Sequence, residues 1–461
     1  MADVAYSLPH TLSTLGHEVT IVMPAYNAVK KQLKLTGALA HKTIQGHSIR
    51  IYRTKFPDTD IPLLLVDAPP LFDFDGNPYL DQTGDPRDDN ALKFGLFCQV
   101  IALIAVDQAD LNWQPDVLHC NDWQTGLALA FLEDQPARPA TVFTIHNLAY
   151  QGVFPHQSFL DLGLADAYWD YTKLEFHNQL SFIKGGIVFA DQVNTVSPSY
   201  AKEIQTSEFG CGLEPLLEHY SSKLSGILNG IDEEKWNPET DSYIEQNYNF
   251  KSIDKKSINK AALQKLFGLE CQPDVPMFSL VSRLVSQKGL DLIIDIAPNF
   301  KFFNLQLVIF GSGDPEIEKA LLNSTEKYPS HMAVRIGFDE KLAHLCTAGA
   351  DFFMMPSRFE PCGLNQMYSQ RYGTLPVVNA VGGLQDSVID IKSSHTTGTG
   401  IKEELNNAND LLRAMVRAIN LYADSEKYRL TQTTAMQTDF SWEKSTQKYL
   451  NIYQRAISSK K

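Results

Sequence analysis

The chain has 461 residues, 44% of them apolar, and a formal net charge of −14. That length favours two domains over one, and the composition is that of a globular protein. The acidic balance argues against nucleic acid or an anionic membrane surface as the main partner, although a small anionic ligand needs only local positive charge.

In chain order, 7–16 reads as a helix and 17–24 as a strand, so no strand precedes the first helix. A doubly wound domain ordinarily opens on a central strand, which makes this start unusual. Strands follow at 48–53 and 62–66. Then come an aromatic, polar loop at 73–90, with a turn signal in Asp75-Gly76-Asn77-Pro78, and a helix at 91–110. The strand 115–119 runs into Asn121-Asp122-Trp123-Gln124-Thr125-Gly126 and a helix at 127–133. A further strand, 140–145, ends in His146-Asn147; 150–178 reads as an extended insertion, and 192–196 as a strand ending at Ser197-Pro198. Residues 226–232 read as a strand and turn closing the first unit, and the polar, poorly periodic stretch from Trp236 as an interdomain linker with some surface helix. The alternation then restarts, with strands at 277–281, 306–310, 333–336, 352–355 and 376–378 and helices at 289–297, 314–322, 339–348 and 364–372. Helical spacing returns at 409–421 and 442–458. The economical picture is two doubly wound units facing each other across a cleft.

The six cysteines (98, 120, 211, 271, 346 and 362) form no CxxC pair and read as free thiols of a reducing cytosol. No run reaches the roughly 18 apolar residues that a membrane span needs, and no basic region followed by an apolar core marks a signal peptide.

The most informative stretch is Ser357-Arg358-Phe359-Glu360-Pro361-Cys362-Gly363-Leu364. It follows an apolar strand, Pro361 and Gly363 break the chain, and a helix begins at once. A carboxylate is thereby left in a tight turn at a strand's C-terminal end, beside the N–H groups of a helix start, where α/β sheets bind ligands and phosphates. One strand later comes a second loosened turn, Val381-Gly382-Gly383-Leu384. Arg283 and Lys288 follow the first strand of the second unit. Two cations beside a helix start oppose the helix dipole; they make sense around a diphosphate, though a solvated basic turn is the plainer reading. Gly311-Ser312-Gly313-Asp314 is another turn at the same kind of position, and a tight turn explains it as well.

Asp122 and His146 end two strands of the first unit. A carboxylate, an imidazole and flanking amides suit the recognition of sugar hydroxyls, with Trp123 able to stack on a sugar face; a satisfied core histidine explains His146 equally. No GxGxxG follows a strand with a partner acid, and no GxxxxGK[ST], HExxH or Gly-x-Ser-x-Gly occurs. Nicotinamide, P-loop, zincin and hydrolase-elbow readings are therefore unsupported.

Taken together the motifs resemble bacterial glycogen synthase and plant starch synthase, a family of ADP-glucose-dependent retaining glucosyltransferases of the GT-B fold. The resemblance covers essentially the whole chain. In the first half it rests on Ala2-Asp3-Val4, Pro115-Asp116-Val117, Asn121 to Gly126, Thr144-Ile145-His146-Asn147-Leu148-Ala149-Tyr150-Gln151-Gly152 and Asn194-Thr195-Val196-Ser197-Pro198, with Phe209-Gly210-Cys211-Gly212-Leu213 and Ile227-Leu228-Asn229-Gly230-Ile231-Asp232. In the second half it rests on Ser282-Arg283-Leu284 with Gln287-Lys288-Gly289, Pro356 to Leu364, and Arg371-Tyr372-Gly373-Thr374-Leu375-Pro376.

The resemblance implies an α/β, GT-B fold of two Rossmann-like doubly wound domains. The expected arrangement is an acceptor-side domain at 1–235, a linker region at 236–260, a nucleotide-sugar domain at 261–440, and a final helix at 441–461 packed back on the first domain. It implies transfer of glucose from ADP-glucose to the non-reducing end of an α-1,4-glucan, in the cytoplasm, with no cofactor and no metal. The expected partners are ADP-glucose and glycogen, not nucleic acid or membrane. Arg283 and Lys288 then hold the diphosphate, aided by N–H groups around Cys362, Gly363 and Leu364 with Asn365 nearby. Glu360 binds donor-glucose hydroxyls, His146 the glucose O6 region near the reacting carbon, and Asp122 sits beside the reaction centre. Asn229 helps hold the sugar, and Phe338, where the family often has Tyr, packs on adenine. Asp3, Gly382, Gly383 and Trp123 complete the substrate-binding set.

Three departures stand out. The family opens on a strand and a Lys-Thr-Gly-Gly loop just before the Ala-Asp-Val that here is Ala2-Asp3-Val4, so the expectation is that the native product starts upstream with Met1 internal. Tyr368 stands where related enzymes often place a second Glu, and Gln124 where the family often has His. Two alternatives stay open: a GT-B enzyme with another donor such as UDP-glucose, or an inactive or glucan-binding truncated fragment.

Overall fold

The computed structural model describes residues 2–33, 35–391, 398–405 and 407–460. The chain forms two compact units: unit 1 is Met1–Val196, Ala201–Ile227 and Ser445–Lys461, and unit 2 is Ser197–Tyr200 and Leu228–Lys444.

Unit 1 divides its longer strands between two four-stranded sheets. The first contains β1 (Ile21–Pro24), β2 (Ala40–Ile44), β3 (His47–Lys55) and β4 (Pro62–Asp67), in the order β1-β4-β3-β2. Only β1 and β4 are parallel in it. Antiparallel β3 buries Ile49 and Ile51 on one face, while Arg50 and Tyr52 between and after them are only half-buried. The second sheet contains β5 (Val117–Asn121), β6 (Ala140–Ile145), and, after an insertion, β10 (Gln192–Thr195) and β11 (Leu224–Gly226). It is fully parallel in the order β11-β10-β6-β5, and its inner strand β6 is buried at every position. Thus β1 and β5 are edge strands of separate sheets. The insertion folds as a small antiparallel sheet of β7 (Val153–Pro155), β8 (Glu175–Phe176) and β9 (Gln179–Ser181). Helix Trp123–Leu132 packs on helix Phe182–Phe189 so closely that a Cβ on Gly126 would lie 2.1 Å from the Phe182 carbonyl oxygen. The helix expected over 91–110 ends at Ala105, because Asp107, Asp110 and Asn112 all have positive φ.

Unit 2 is built on one six-stranded parallel sheet: β12 (Met277–Val281), β13 (Gln306–Gly311), β14 (Met332–Ile336), β15 (Phe352–Met355), β16 (Leu375–Asn379) and β17 (Ile401–Glu403). The order is β14-β13-β12-β15-β16-β17, the doubly wound pattern, and it reverses between β12 and β15. Buried Phe278, Leu280, Ile309, Phe352, Leu375 and Val377 form part of its core.

The stretch expected to be an interdomain linker belongs to unit 2 from Leu228 onward. Ile244, Tyr248 and Ile253 are buried there against Tyr372 and Met436, with Trp236 and Phe250 packed on them. The Trp236 indole lies between the His344 and Tyr368 rings, at centroid distances of 3.7 and 4.0 Å. Helix Lys256–Leu266 follows directly. The two ends of unit 2 meet: Ile231 bridges Ser441, the Ile231 N–H donates to the Phe440 carbonyl at 2.9 Å, and a Cβ on Gly230 would lie 2.7 Å from the Trp442 backbone. Residues 226–232 span the boundary: β11 ends at Gly226, unit 1 runs to Ile227, and unit 2 takes over at Leu228. The final helix, Trp442–Ser459, continues into unit 1 from Ser445.

Candidate active site

In unit 2 the turns after β12, β13, β15 and β16 lie together at the strands' C-terminal ends, around the point where strand order reverses. Their backbones are in contact. A Cβ on Gly311 would lie 1.8 Å from the Ser282 oxygen, and one on Gly383 would lie 1.9 Å from the Cys362 oxygen. Only glycine permits such approach, so the glycines at these turns are required by packing between loops.

Within this cluster the Lys288 Nζ lies 2.5 Å from Glu360 Oε2. The Ser357 hydroxyl donates to the same oxygen at 3.0 Å. Among the described residues nothing bonds Glu360 Oε1. Asn379 fixes the Ser357 carbonyl at 2.9 Å, and the Gly383 N–H donates to the Glu360 carbonyl at 3.0 Å. The Asn365 amide donates to the Val281 carbonyl at 2.8 Å, tying the helix Asn365–Arg371 to the end of β12. The N–H groups of Cys362, Gly363 and Leu364 meet no acceptor among the described residues. Burial pushes the Cys362 thiol up to about 12, so it stays neutral. Gly382 and Gly363 have φ of +45° and +67°. Arg283 is exposed and its guanidinium has no ion pair among the described residues. Phe338 is 95% exposed, and Asn229 is buried with its side-chain oxygen unbonded.

In unit 1 the second constellation forms at the ends of β5 and β6. Asp122, between β5 and helix Trp123–Leu132, has φ +55° and ψ 178°. That region is essentially glycine-only and costs about 1–3 kcal/mol. Its N–H donates to the Thr144 carbonyl at 2.9 Å, its carboxylate accepts the His146 N–H at 2.7 Å, and its carbonyl accepts the Thr125 N–H at 3.1 Å and hydroxyl at 3.2 Å. The His146 Nε2 bonds the Asn121 side-chain oxygen at 2.9 Å, which places the ring proton on Nε2 and leaves Nδ1 an acceptor. Burial raises the Asp122 carboxyl to about 7 and depresses the His146 imidazole to about 3. Behind them, Thr144 Oγ1 donates to Asn194 at 2.6 Å and accepts from His119 Nε2 at 2.6 Å, and His119 Nδ1 meets the Tyr453 hydroxyl of the final helix at 2.9 Å.

One expected contact is corrected. Trp123 offers no face for stacking on a sugar: it is 8% exposed, with the rings of Phe94, Phe154 and Phe182 at 4.9, 5.7 and 6.0 Å. The aromatic residue that reaches the surface there is Tyr79 of the 73–90 loop, 37% exposed and stacked on Phe94. Asp3 is exposed in the first turn of helix Ala2–Thr14. Asn379 and Gln287 escape sequence reasoning because their partners are backbone atoms of distant turns, and Ser357 because its bond to the Glu360 carboxylate forms only once the turn has folded. Among the described residues no group of three or more His, Cys, Asp or Glu is placed to hold a metal ion, and no helix is long and apolar enough to cross a membrane.

Comparison with known proteins gives two family matches: the starch synthase catalytic domain over residues 1–219 and glycosyl transferases group 1 over residues 267–433. The chain is 49% identical to glycogen synthase 1 of Methylococcus capsulatus, over 99% of this chain and 93% of that protein. It is 46% identical to the glycogen synthase of Cellvibrio japonicus, over 99% of this chain and 96% of that protein. Among solved structures, the catalytic domain of starch synthase IV from Arabidopsis thaliana, bound to ADP and acarbose, matches at a TM-score of 0.88 with 30% identity, covering 99% and 95% of the two chains. A sucrose-phosphate synthase from Thermosynechococcus elongatus shares the fold at a TM-score of 0.60 and 17% identity.

Proposed function

This chain belongs to the glycogen and starch synthase family of glycosyltransferases, with the GT-B fold, and from that premise we propose that it transfers glucose from ADP-glucose to the non-reducing end of an α-1,4-glucan with retention of configuration. The observation that carries the donor side is the Lys288–Glu360 pair at the point where strand order reverses in unit 2. A base next to a carboxylate, with a second cation at Arg283 and open N–H groups at Cys362 to Leu364, is the equipment for a sugar joined to a diphosphate. Lys288 and Arg283 take the diphosphate and neutralise the charge that builds as ADP leaves. Glu360 takes donor-sugar hydroxyls through Oε1, and the exposed Phe338 ring takes the adenine face.

In unit 1 Asp122 and His146 serve the glucosyl group. With its imidazole depressed to about 3, His146 is neutral near pH 7 and acts as a hydrogen-bonding group at the sugar, not as a cation. Asn229 and Asp3 are assigned to the sugar and donor by the same family reading. The displacement proceeds on one face of the sugar, guided by the leaving phosphate, so no carboxylate nucleophile is assigned. No cofactor or metal is proposed. The compartment proposed is the cytoplasm, in keeping with six free cysteines.

The test is glucosyl transfer to glycogen from ADP-glucose and from UDP-glucose, by the parent chain and Glu360→Ala. The parent is expected to use ADP-glucose, and the variant to lose at least about 100-fold in kcat. Undiminished transfer by the variant overturns the site, and transfer from UDP-glucose alone overturns the donor.

A further inference from the structure

The Lys288 and Glu360 turns leave different strands, β12 and β15, yet their side chains meet at 2.5 Å. Two side chains from separate turns keep such a contact only if the turns themselves are held in register. The bonds that hold them converge on Arg358 and its neighbours. The Arg358 N–H donates to the Gln287 carbonyl at 2.8 Å, and the Gln287 amide returns a bond to the Phe359 carbonyl at 3.0 Å. The Arg358 guanidinium then reaches over the Lys288 turn. Nη1 donates to the Ser286 carbonyl at 2.6 Å and to Asp291 Oδ1 at 2.8 Å, and Nη2 donates to Asp291 Oδ2 at 2.5 Å. Asp291 stands in the first turn of helix Leu290–Ile296, immediately after Lys288 and Gly289. Lys288 is therefore bracketed by two anchors, Ser286 and Asp291, both gripped by one side chain of the Glu360 turn.

We propose that Arg358 is a positioning residue that sets the register of the Lys288 turn against the Glu360 turn, with Asp291 as its anchor, so that donor affinity depends on a guanidinium whose own bonds are to protein. The proposal rests on the donor-site reading above. Arg358 and Asp291 are 44% and 51% exposed, and an exposed pair adds little to stability even when bidentate. Its loss is therefore felt in geometry, where a displacement of about 1 Å costs up to about 100-fold in rate, and not in melting temperature.

The experiment uses the full chain and compares Arg358→Gln, Asp291→Asn, the double variant and Lys288→Ala. It measures kcat, KM for ADP-glucose, KM for glycogen and Tm. Arg358→Gln is expected to raise KM for ADP-glucose about 10-fold, within the cost of such a misplacement, while KM for glycogen and Tm stay at parent values. Asp291→Asn is expected to act in the same direction, and the double variant to match Arg358→Gln, because both break one clamp. Arg358→Lys, added to the series, keeps the charge on one nitrogen without the two-pronged fork that grips Asp291, and is expected to fall between. If Lys288→Ala raises KM for ADP-glucose and Arg358→Gln does not, the clamp is overturned and the function stands. If Lys288→Ala is also silent, the function itself fails. Should Arg358→Gln not fold, the isosteric Asp291→Asn decides: parent KM for ADP-glucose overturns the proposal.

Discussion

The two constellations place a carboxylate beside a base and treat the pair in opposite ways. In unit 2, Glu360 and Lys288 are brought together as an ion pair by turns whose backbones touch. In unit 1 burial disfavours charge on Asp122 and His146: the carboxyl is raised to about 7, so it is part-ionised at neutral pH, and the imidazole is depressed to about 3 and stays neutral. The first arrangement holds opposite charges ready for a charged ligand. The second sets a neutral imidazole beside a carboxyl poised near neutrality, held by a strained backbone at Asp122. On the proposed reading, charge is concentrated where the diphosphate binds and reduced by burial where the sugar binds.

The comparison breaks most sharply at Lys288. Lys288→Ala is expected to lower kcat/KM for ADP-glucose by about 1,000-fold, the scale of losing a main electrostatic stabiliser, measured with glycogen in excess. A loss below tenfold would mean that charge is not what unit 2 supplies. Next is Asp122→Asn, expected to cut kcat about 10- to 100-fold while raising Tm at pH 8. The folded carboxyl titrates near 7 and an unfolded one near 4. The folded state therefore holds the proton more tightly, and stability falls as pH rises from about 4 to about 7. Asn removes that loss, so its Tm advantage is expected at pH 8, about 2 °C or more, and to vanish at pH 4. An equal advantage at both pH values would mean that the raised carboxyl is not the cause.

Third is Gly383→Ala, whose Cβ would strike the Cys362 carbonyl. It is expected to raise KM for ADP-glucose about 10-fold by displacing the Glu360 turn. Parent kinetics would show that the turns can part without consequence. The smallest effect expected is on the acid side. Folded His146 and His119 refuse protons until about pH 3 and 4, so the unfolded chain gains them first as pH falls below about 6.5 and stability is lost. His119→Gln should flatten that limb of a Tm-against-pH curve.

Much of unit 2 was legible because its strands are apolar runs and its turns carry Pro and Gly, so the turns that carry Glu360 and Lys288 could be placed at strand ends, whereas the point where strand order reverses needed the sheet itself. Helix Lys256–Leu266 was hidden for a physical reason: its buried face is polar. Lys260 pairs with Asp351 at 2.7 Å, Asn259 exchanges bonds with Gln246, and Gln264 meets Gln306, so a helix in the core reads as linker. The fold of the 228–260 stretch was lost with it. In unit 1, the residue types at Asp122 and His146 were visible but their state was not, because φ of +55° and burial-driven shifts arise only once the sheet and helices close around them. Trp123 was misplaced because an aromatic next to a polar motif looks the same in sequence whether its ring faces solvent or Phe94. The Arg358–Asp291 clamp has no sequence signal at all, since nothing local marks which of many surface charges will meet.

Because the entry and exit of unit 2 meet at Ile231 and Ser441, while residues from Ser445 onward belong to unit 1, the order in which the units are completed runs against the order in which they begin. Every residue of unit 2 precedes in sequence the part of the final helix whose Tyr453 closes on His119. Domains commonly fold N-terminal first as they emerge; here the first unit begun is the last completed. Purified chains ending at Lys444 are expected to protect 228–444 from a protease while leaving the earlier half digestible. Equal protection of both halves would show that the first unit closes without its last helix.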